Sequence, residues 1–349
     1  MSGTSLDGID AAMIESDGER IAAHLGGVTL PYDEAFRARL RACLGARKPS
    51  DEILSVESAL TEHHGRAVSD LLAKFSIPAQ AVELIGFHGH TLTHDPENRF
   101  TWQIGDGARL AAETGIKVVA GFRNADVAVG GEGAPLAPAY HRALAEGLET
   151  PLAILNLGGV ANVTWIGSDG ALLAFDTGPA NALIDDWIAE KTGQKFDEKG
   201  AWAAAGTVNE AILEEFLKNK FFGRLPPKSL DRNNFGRDGV KHLSVEDGAA
   251  TLSAFTVQSV VLAQHHFPAP RRWCVTGGGR HNTHLMRLLE DAFKVPVVPV
   301  EDVGWDGDLL EAEAFAFLAI RSSLGLPLSW PSTTGVDAPI SGGRLFTHS

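Results

Sequence analysis

Apolar and polar positions along this chain switch repeatedly between the two-residue alternation of strands and the three-to-four spacing of helices. Residues 9–15 alternate as a half-buried strand does. Helical spacing then covers 33–47 and 51–75, where Ile53, Val56, Ala59 and Leu60 share a face that Ala67, Leu71, Leu72 and Phe75 continue. Residues 81–87 and 117–121 read as buried strands on either side of a helix over Gly107–Thr114, ended by Gly115. That is the alternation of a βαβ unit. The stretch VGGEGAPLAP at 129–138 reads as a crossing between two domains. Beyond it the pattern predicts strands at 151–157, 162–166, 272–276 and 295–299, with helices at 182–192, 208–220, 245–265, 283–292 and 309–322. The mostly polar segment 221–244, with its Pro226-Pro227 pair, predicts a loop or cap.

Length sharpens this into two domains, because single cores stop growing near about 250–300 residues and this chain has 349. The expected division is 1–133 together with about 324–349, and 134–323. A formal net charge of −14 argues against nucleic acid or an anionic membrane as partner, since both demand surplus Lys and Arg. Any phosphate bound by so acidic a chain must be held by backbone N–H groups and a metal. Cys43 and Cys274, far apart and only two, support neither a disulfide framework nor a Cys-based zinc site, and fit a reducing cytoplasm. The first residues lack the basic and apolar regions of a signal peptide, and no apolar run approaches the roughly 20 residues of a membrane span.

Three glycine turns carry candidate chemistry. Gly3-Thr4-Ser5-Leu6-Asp7-Gly8 combines glycines that admit an anion to the backbone, two hydroxyl donors, and in Asp7 a carboxylate able to hold a water on Mg²⁺. The same composition would serve a plain polar turn. Asn156-Leu157-Gly158-Gly159 lies between two predicted strands, as a simple hairpin turn also would. Gly277-Gly278-Gly279 ends a buried strand, with Asn282 and a helix behind it, the arrangement in which strand ends of α/β sheets receive phosphates or flat rings. No Gly-x-x-x-x-Gly-Lys-Ser/Thr loop occurs, which excludes a P-loop. Asp176 lies between a predicted strand and Gly178-Pro179, where it would face a cleft as a base or cap the following helix, a task Asn181 could also perform. His88, His90 and His94 have the spacing of metal ligands on one strand face, but Gly89 and Thr91 suit a turn whose imidazoles meet a polar ligand better. His63-His64 and His265-His266, on predicted helices, read as surface or interface residues.

MSGTSLDGID, FHGHTLTH, TWQIGDG, FR..D before GGEGAPLAP, LNLGGVANVT, FDTGPANALIDDW, FD..GAWAA.G and VTGGGRHN follow one another as in the anhydro-N-acetylmuramic acid kinase family, which this chain resembles from Met1 to the EAEAFAFLA helix. The resemblance implies a two-lobed actin-like ATPase (ribonuclease H-like) α/β fold, with ATP and sugar bound in the interlobe cleft. It implies that ATP phosphorylates O6 of 1,6-anhydro-N-acetylmuramic acid while water opens the anhydro bridge, in peptidoglycan recycling. On that resemblance Asp176 is the catalytic base. ATP would meet Gly3, Thr4, Ser5, Leu6, Asp7, Gly8, Asp10, Asn156, Gly158, Gly159, Gly277, Gly278, Gly279 and Asn282, with Mg²⁺ on Asp7 through a water. The sugar would meet His88, His90, Arg123, Asp126 and Glu311, Arg123 being suited to a two-pronged grip on the lactyl carboxylate. A homodimer is also implied. Family members carry a short apolar strand before MSGTSLDG, and this chain starts inside the turn, so a less supported sheet edge is expected there. Two other readings stay open: a different sugar or carboxylate kinase of the same superfamily, and a nucleotide-dependent clamp of the actin and Hsp70 kind.

Overall fold

The computed structural model describes residues 1–3, 6–230 and 234–348. They form two compact α/β units, one of Met1–Glu146 with Asp308–Ser349 and one of Gly147–Gly307. Among the described residues no helix is long and apolar enough to cross a membrane.

The first unit opens with strands β1 (Gly8–Ser16) and β2 (Ile21–Pro31), then helices α1 (Glu34–Ala42) and α2 (Asp51–Phe75). Strands β3 (Leu84–Phe87), β4 (His90–Asp95) and β5 (Phe100–Ile104) follow, then α3 (Gly107–Thr114), β6 (Lys117–Ala120), α4 (Asn124–Ala128) and α5 (Pro138–Leu144). Helix α2 begins where the Ser50 side chain accepts the Ile53 N–H and ends at Ser76 in the left-handed region. Its stripe of Ile53, Val56, Leu60, Ala67 and Leu71 is buried against β1 and β2. His64 lies on the same stripe, four residues after Leu60, and is buried with Nδ1 donating to the Leu60 carbonyl at 2.8 Å. The expectation of a surface pair at His63-His64 therefore fails for His64, by the very spacing that predicted the helix. Strand β2 escaped the sequence pattern because Gly26 and Gly27 interrupt its alternation. Those glycines let neighbours close in: a Cβ on Gly26 would come 2.7 Å from the Phe75 ring, and one on Gly27 2.6 Å from the Ala11 carbonyl.

The second unit contains β7 (Leu152–Leu157), β8 (Val160–Ile166), β9 (Leu172–Pro179), α6 (Asn181–Thr192), α7 (Ala201–Ala205), α8 (Glu210–Leu217), α9 (Val245–Gln264), β10 (Arg272–Thr276), α10 (Thr283–Phe293) and β11 (Val297–Pro299). Its sheet runs in the order β11-β10-β7-β8-β9, with β11, β10 and β7 mutually parallel and β8 and β9 antiparallel. Strand β7 is apolar almost throughout, as a strand covered on both faces must be. Parallel pairing places Thr276 beside Asn156, so two glycine turns emerge together at the carboxyl ends of β10 and β7.

The chain returns to the first unit through α11 (Leu310–Ser323), α12 (Pro331–Thr334) and β12 (Arg344–Phe346), the last pairing antiparallel with β6 beside parallel β3. Thus α5 and α11 belong to the first unit, and the units divide after Glu146 and Gly307 instead of near 133 and 323. Packing is the reason. Helix α11 lies on β3 and β1 so closely that a Cβ on Gly86 would overlap the Phe315 backbone, and the Tyr140 hydroxyl of α5 donates to buried Glu313 of α11 at 2.5 Å.

Candidate functional site

In the first unit, three segments distant in sequence meet around the amino terminus. The Met1 ammonium donates to the Asp10 carbonyl at 2.8 Å, and the Asp10 N–H returns a bond to the Met1 carbonyl. Burial lowers the pKa of that amino group to about 6, opposed by Asp10 and Glu311. Ser2 Oγ lies 2.7 Å from the Tyr32 hydroxyl and 3.0 Å from His90 Nδ1. Thr4 and Ser5 lie outside the described residues. The Leu6 side chain joins the core near Tyr32 and Phe36, and its carbonyl accepts from Arg37 Nε at 2.8 Å, so it anchors the turn at φ 59. Gly8 serves close strand approach, since a Cβ there would overlap the Leu30 carbonyl. Asp7 is exposed and Asp10 half-buried, with Asp10 Oδ1 accepting from Thr29 Oγ1 at 2.6 Å. Burial raises the pKa of Asp10, and the nearby carboxylates of Asp7 and Asp308 raise it further.

His88 and Arg123 form the second part of this cluster. His88 Nδ1 faces the Gly89 carbonyl at 3.0 Å, which requires a proton on Nδ1, so Nε2 is left to accept from Arg123 Nη2 at 3.1 Å. Burial, then Arg123, keeps the imidazole pKa well below its usual value. Arg123 Nη1 donates to the Gly133 carbonyl at 2.8 Å. His88 lies between β3 and β4, not on a strand with His90, because Gly89 at φ +71 turns the chain. His94 bonds Thr101 Oγ1 at 3.0 Å and the Glu132 carbonyl at 2.8 Å. Among the described residues no three His, Cys, Asp or Glu side chains are grouped to hold a metal.

Asp126 and His90, both expected to meet the sugar, are buried. Asp126 is 2% exposed; its Oδ1 accepts the Gly133 N–H at 2.6 Å, and its Oδ2 accepts Thr334 Oγ1 at 2.6 Å and the Ser329 hydroxyl. It braces the loop that presents Gly133 to Arg123. His90 is fully buried, and its pKa is lowered to about 4 by burial. Glu311, by contrast, is exposed in the first turn of α11, within electrostatic reach of the amino terminus.

The second unit brings the other two glycine turns into contact. Gly277 takes φ +76, and a Cβ there would overlap Asn156 Oδ1 and come 2.7 Å from the Leu157 backbone. Gly158 is half-buried, while Gly159 and Gly278 are exposed beside it. Asn181 ties the turns: its Nδ2 donates to the Leu157 carbonyl at 2.7 Å, and its N–H to the Gly158 carbonyl at 3.0 Å. Helix α6 consequently has no side-chain cap at Ala180, so neither Asp176 nor Asn181 performs the capping considered from the sequence. Asn282 does cap, accepting the Leu285 N–H at 3.0 Å, and at 8% exposure it sits behind the loop. Buried Arg280 donates to the Gly277 carbonyl at 3.0 Å and to Glu301 at 2.8 Å, fixing the third turn from behind. Arg280 has no role in the sequence reading although it stands inside VTGGGRHN, and Asn181 of FDTGPAN enters it only as a helix cap.

Asp176 lies within β9, not after a strand as its surroundings predicted. It pairs with Asn162, and a bulge between Ala161 and Asn162 sets the strand's direction just there. Its Oδ2 accepts the Leu230 N–H at 2.7 Å, and its N–H donates to the Lys228 carbonyl at 2.9 Å.

Comparison with known proteins gives this arrangement a lineage. The family model described as anhydro-N-acetylmuramic acid kinase matches residues 1–348. An anhydro-N-acetylmuramic acid kinase of Paramagnetospirillum magneticum is 56% identical over 348 residues, covering 99% of this chain and 97% of the relative. Another, of Rhizorhabdus wittichii, is 52% identical over 359 residues, covering 100% and 97%. Among solved structures, the chain is similar to an activator of 2-hydroxyisocaproyl-CoA dehydratase from Clostridium difficile, at 12% identity and TM-score 0.44, over 88% of this chain and 89% of that one. With the glycine turns, the His88–Arg123 pair and Asp176 in these positions, the chain belongs to the anhydro-N-acetylmuramic acid kinase family.

Proposed function

We propose that this chain is a cytoplasmic ATP-dependent kinase of actin-like fold that acts on 1,6-anhydro-N-acetylmuramic acid. Water attacks C1, the bond from C1 to the bridging oxygen breaks, and that oxygen, O6, takes the γ-phosphoryl group as the β–γ bond of ATP breaks. The water proton passes to Asp176, and the products are N-acetylmuramic acid 6-phosphate and ADP. The observation that carries this reading is Asp176 itself, a carboxylate held at a strand bulge with one oxygen fixed by the Leu230 N–H, inside a chain that matches the kinase family end to end. A general base held in one orientation is what attack by water requires.

The glycine turns answer the charge problem set by so acidic a chain. Backbone N–H groups near Gly158, Gly159 and Gly278 would receive phosphate oxygens without a cation. Mg²⁺ prefers hard oxygen donors and retains several waters, and the exposed carboxylate of Asp7 would hold such an ion through a water. When bound it would neutralise charge on the β- and γ-phosphates. Arg123, oriented by neutral His88 and by Gly133, would grip the lactyl carboxylate, while Glu311 would accept from sugar hydroxyls.

Incubation with Mg-ATP and the anhydro sugar in ¹⁸O-water tests the coupling. Label is expected at C1 of a 6-phosphorylated product; phosphorylation with the ring intact, or ADP release without sugar, would defeat it. The nucleotide loop has its own test. Gly277→Ala forces a side chain into a left-handed position already crowded by Asn156 and Leu157, a strain of roughly 1–2 kcal/mol that the turn relieves by moving. The Kd of a non-hydrolysable ATP analogue is expected to rise about tenfold by calorimetry; an unchanged Kd would remove this turn from the nucleotide site.

A further inference from the structure

We propose that Lys228 is a positioning residue for Asp176, its side chain anchoring the 228–230 segment that clasps the carboxylate. The proposal rests on the reading of Asp176 as the base. The clasp has two parts: the Asp176 N–H donates to the Lys228 carbonyl at 2.9 Å, and the Leu230 N–H donates to Asp176 Oδ2 at 2.7 Å. A segment between Pro226-Pro227 and Leu230 belongs to no helix or strand, so it needs some other anchor to hold that geometry.

The Lys228 side chain supplies one. The residue is 3% exposed, and its ammonium donates to the Phe221 carbonyl at 3.2 Å. It stands 4.5 Å from the centroid of the Phe221 ring and 5.8 Å from that of Phe175, the residue immediately before Asp176 in β9. The ammonium therefore bridges the strand that bears the carboxylate and the turn before the clasp. Such a place is costly for a charge, and a methionine or leucine would fill it without desolvating an ammonium. What the charge adds is attraction to a carbonyl and to ring faces, which a neutral side chain does not supply.

The same burial makes the anchor sensitive to pH. Burial, with Arg224 adding, lowers the Lys228 pKa to about 8. His266 faces it from the chain after α9, meets the Phe175 ring edge-on at 5.5 Å, and has its own pKa lowered by burial and then by Lys228. Among the described residues, Arg224 and His266 are the titratable groups that interact electrostatically with the ammonium. Below about pH 8 the ammonium is charged and the clasp is held; above it the cation–ring attraction is lost and Asp176 is less well oriented.

The test is steady-state kinetics of the full chain with Mg-ATP and the anhydro sugar. Lys228→Met is expected to lower kcat at pH 7 by roughly tenfold or more, as loss of a residue that orients a catalytic group does, with both KM values and the ATP-analogue Kd changed less than about twofold. Wild-type kcat should fall toward the variant's level as pH rises past about 8, and the variant should show no such fall. An unaltered kcat, a loss confined to KM, or parallel pH profiles for the two proteins would overturn the proposal. Asp176→Asn run alongside separates the two ideas: if it retains turnover, the base assignment fails; if it is inactive while Lys228→Met matches wild type, only the Lys228 role fails. Should Lys228→Met not fold, the wild-type profile decides alone, a fall centred near pH 8 agreeing with the inference and a flat kcat from about pH 7 to 9.5 refuting it.

Discussion

Asp176→Asn is expected to lower turnover by about a thousandfold while leaving the Kd of an ATP analogue within roughly twofold. The substitution keeps the shape of the side chain and an oxygen able to accept the Leu230 N–H, so the β9 bulge and the 228–230 segment should be retained. What disappears is the ability to take a proton from water, and a positioned general base is worth about 10²–10⁴ in rate. Sugar-dependent ADP release measures the first quantity and calorimetry the second. Appreciable turnover in the variant would assign the base elsewhere, and a large loss of nucleotide affinity would make Asp176 a phosphate-site residue instead.

Arg123→Lys is expected to raise the sugar KM by roughly ten- to a hundredfold with the ATP KM unchanged. The guanidinium donates to His88 and to Gly133 along fixed directions, and its planar fork can present two parallel donors to a carboxylate. Lysine keeps the charge but not the fork. Charge-assisted bonds of this kind are worth about 1.5–3 kcal/mol, which converts to that range of KM. A substrate whose lactyl carboxylate has been converted to an amide sharpens the test: it should lose affinity for the wild type and show little further loss with the variant. Equal losses for both substrates would mean that Arg123 only supports the loop.

Local pattern carried much of the secondary structure. Helix α3 was legible to its ends because Asp106 accepts the Ala108 and Arg109 N–H groups and Gly115 closes it in the left-handed region, both readable signals. Strand β10 was legible because a short apolar run ends in glycines. The β4–β5 hairpin was not, since its strands are mostly polar or half-buried and a register shift breaks their alternation. Helix α11 was located correctly yet assigned to the wrong side of the domain division, because periodicity shows that a face is buried and not which strands bury it.

The site divides along the same line. By itself the sequence determined the family, the three glycine turns, and a short set of candidate carboxylates, imidazoles and one arginine. Only the tertiary structure decided which partners within the fold they meet. Asp126 accepts from Gly133, Ser329 and Thr334, His90 meets Ser2 through Nδ1 alone, Asn282 caps its own helix, and Glu311 lies in an exposed first turn. Two of the donors to Asp126 lie more than 200 residues away, and a buried polar group must find its partner wherever the fold places one. Lys228 shows the converse: an unremarked lysine in a polar stretch becomes, once Phe221 and Phe175 close over it, a buried cation against the residue that precedes Asp176. Burial and partnership are properties of three-dimensional neighbours, which sequence spacing reveals only within one helix or strand.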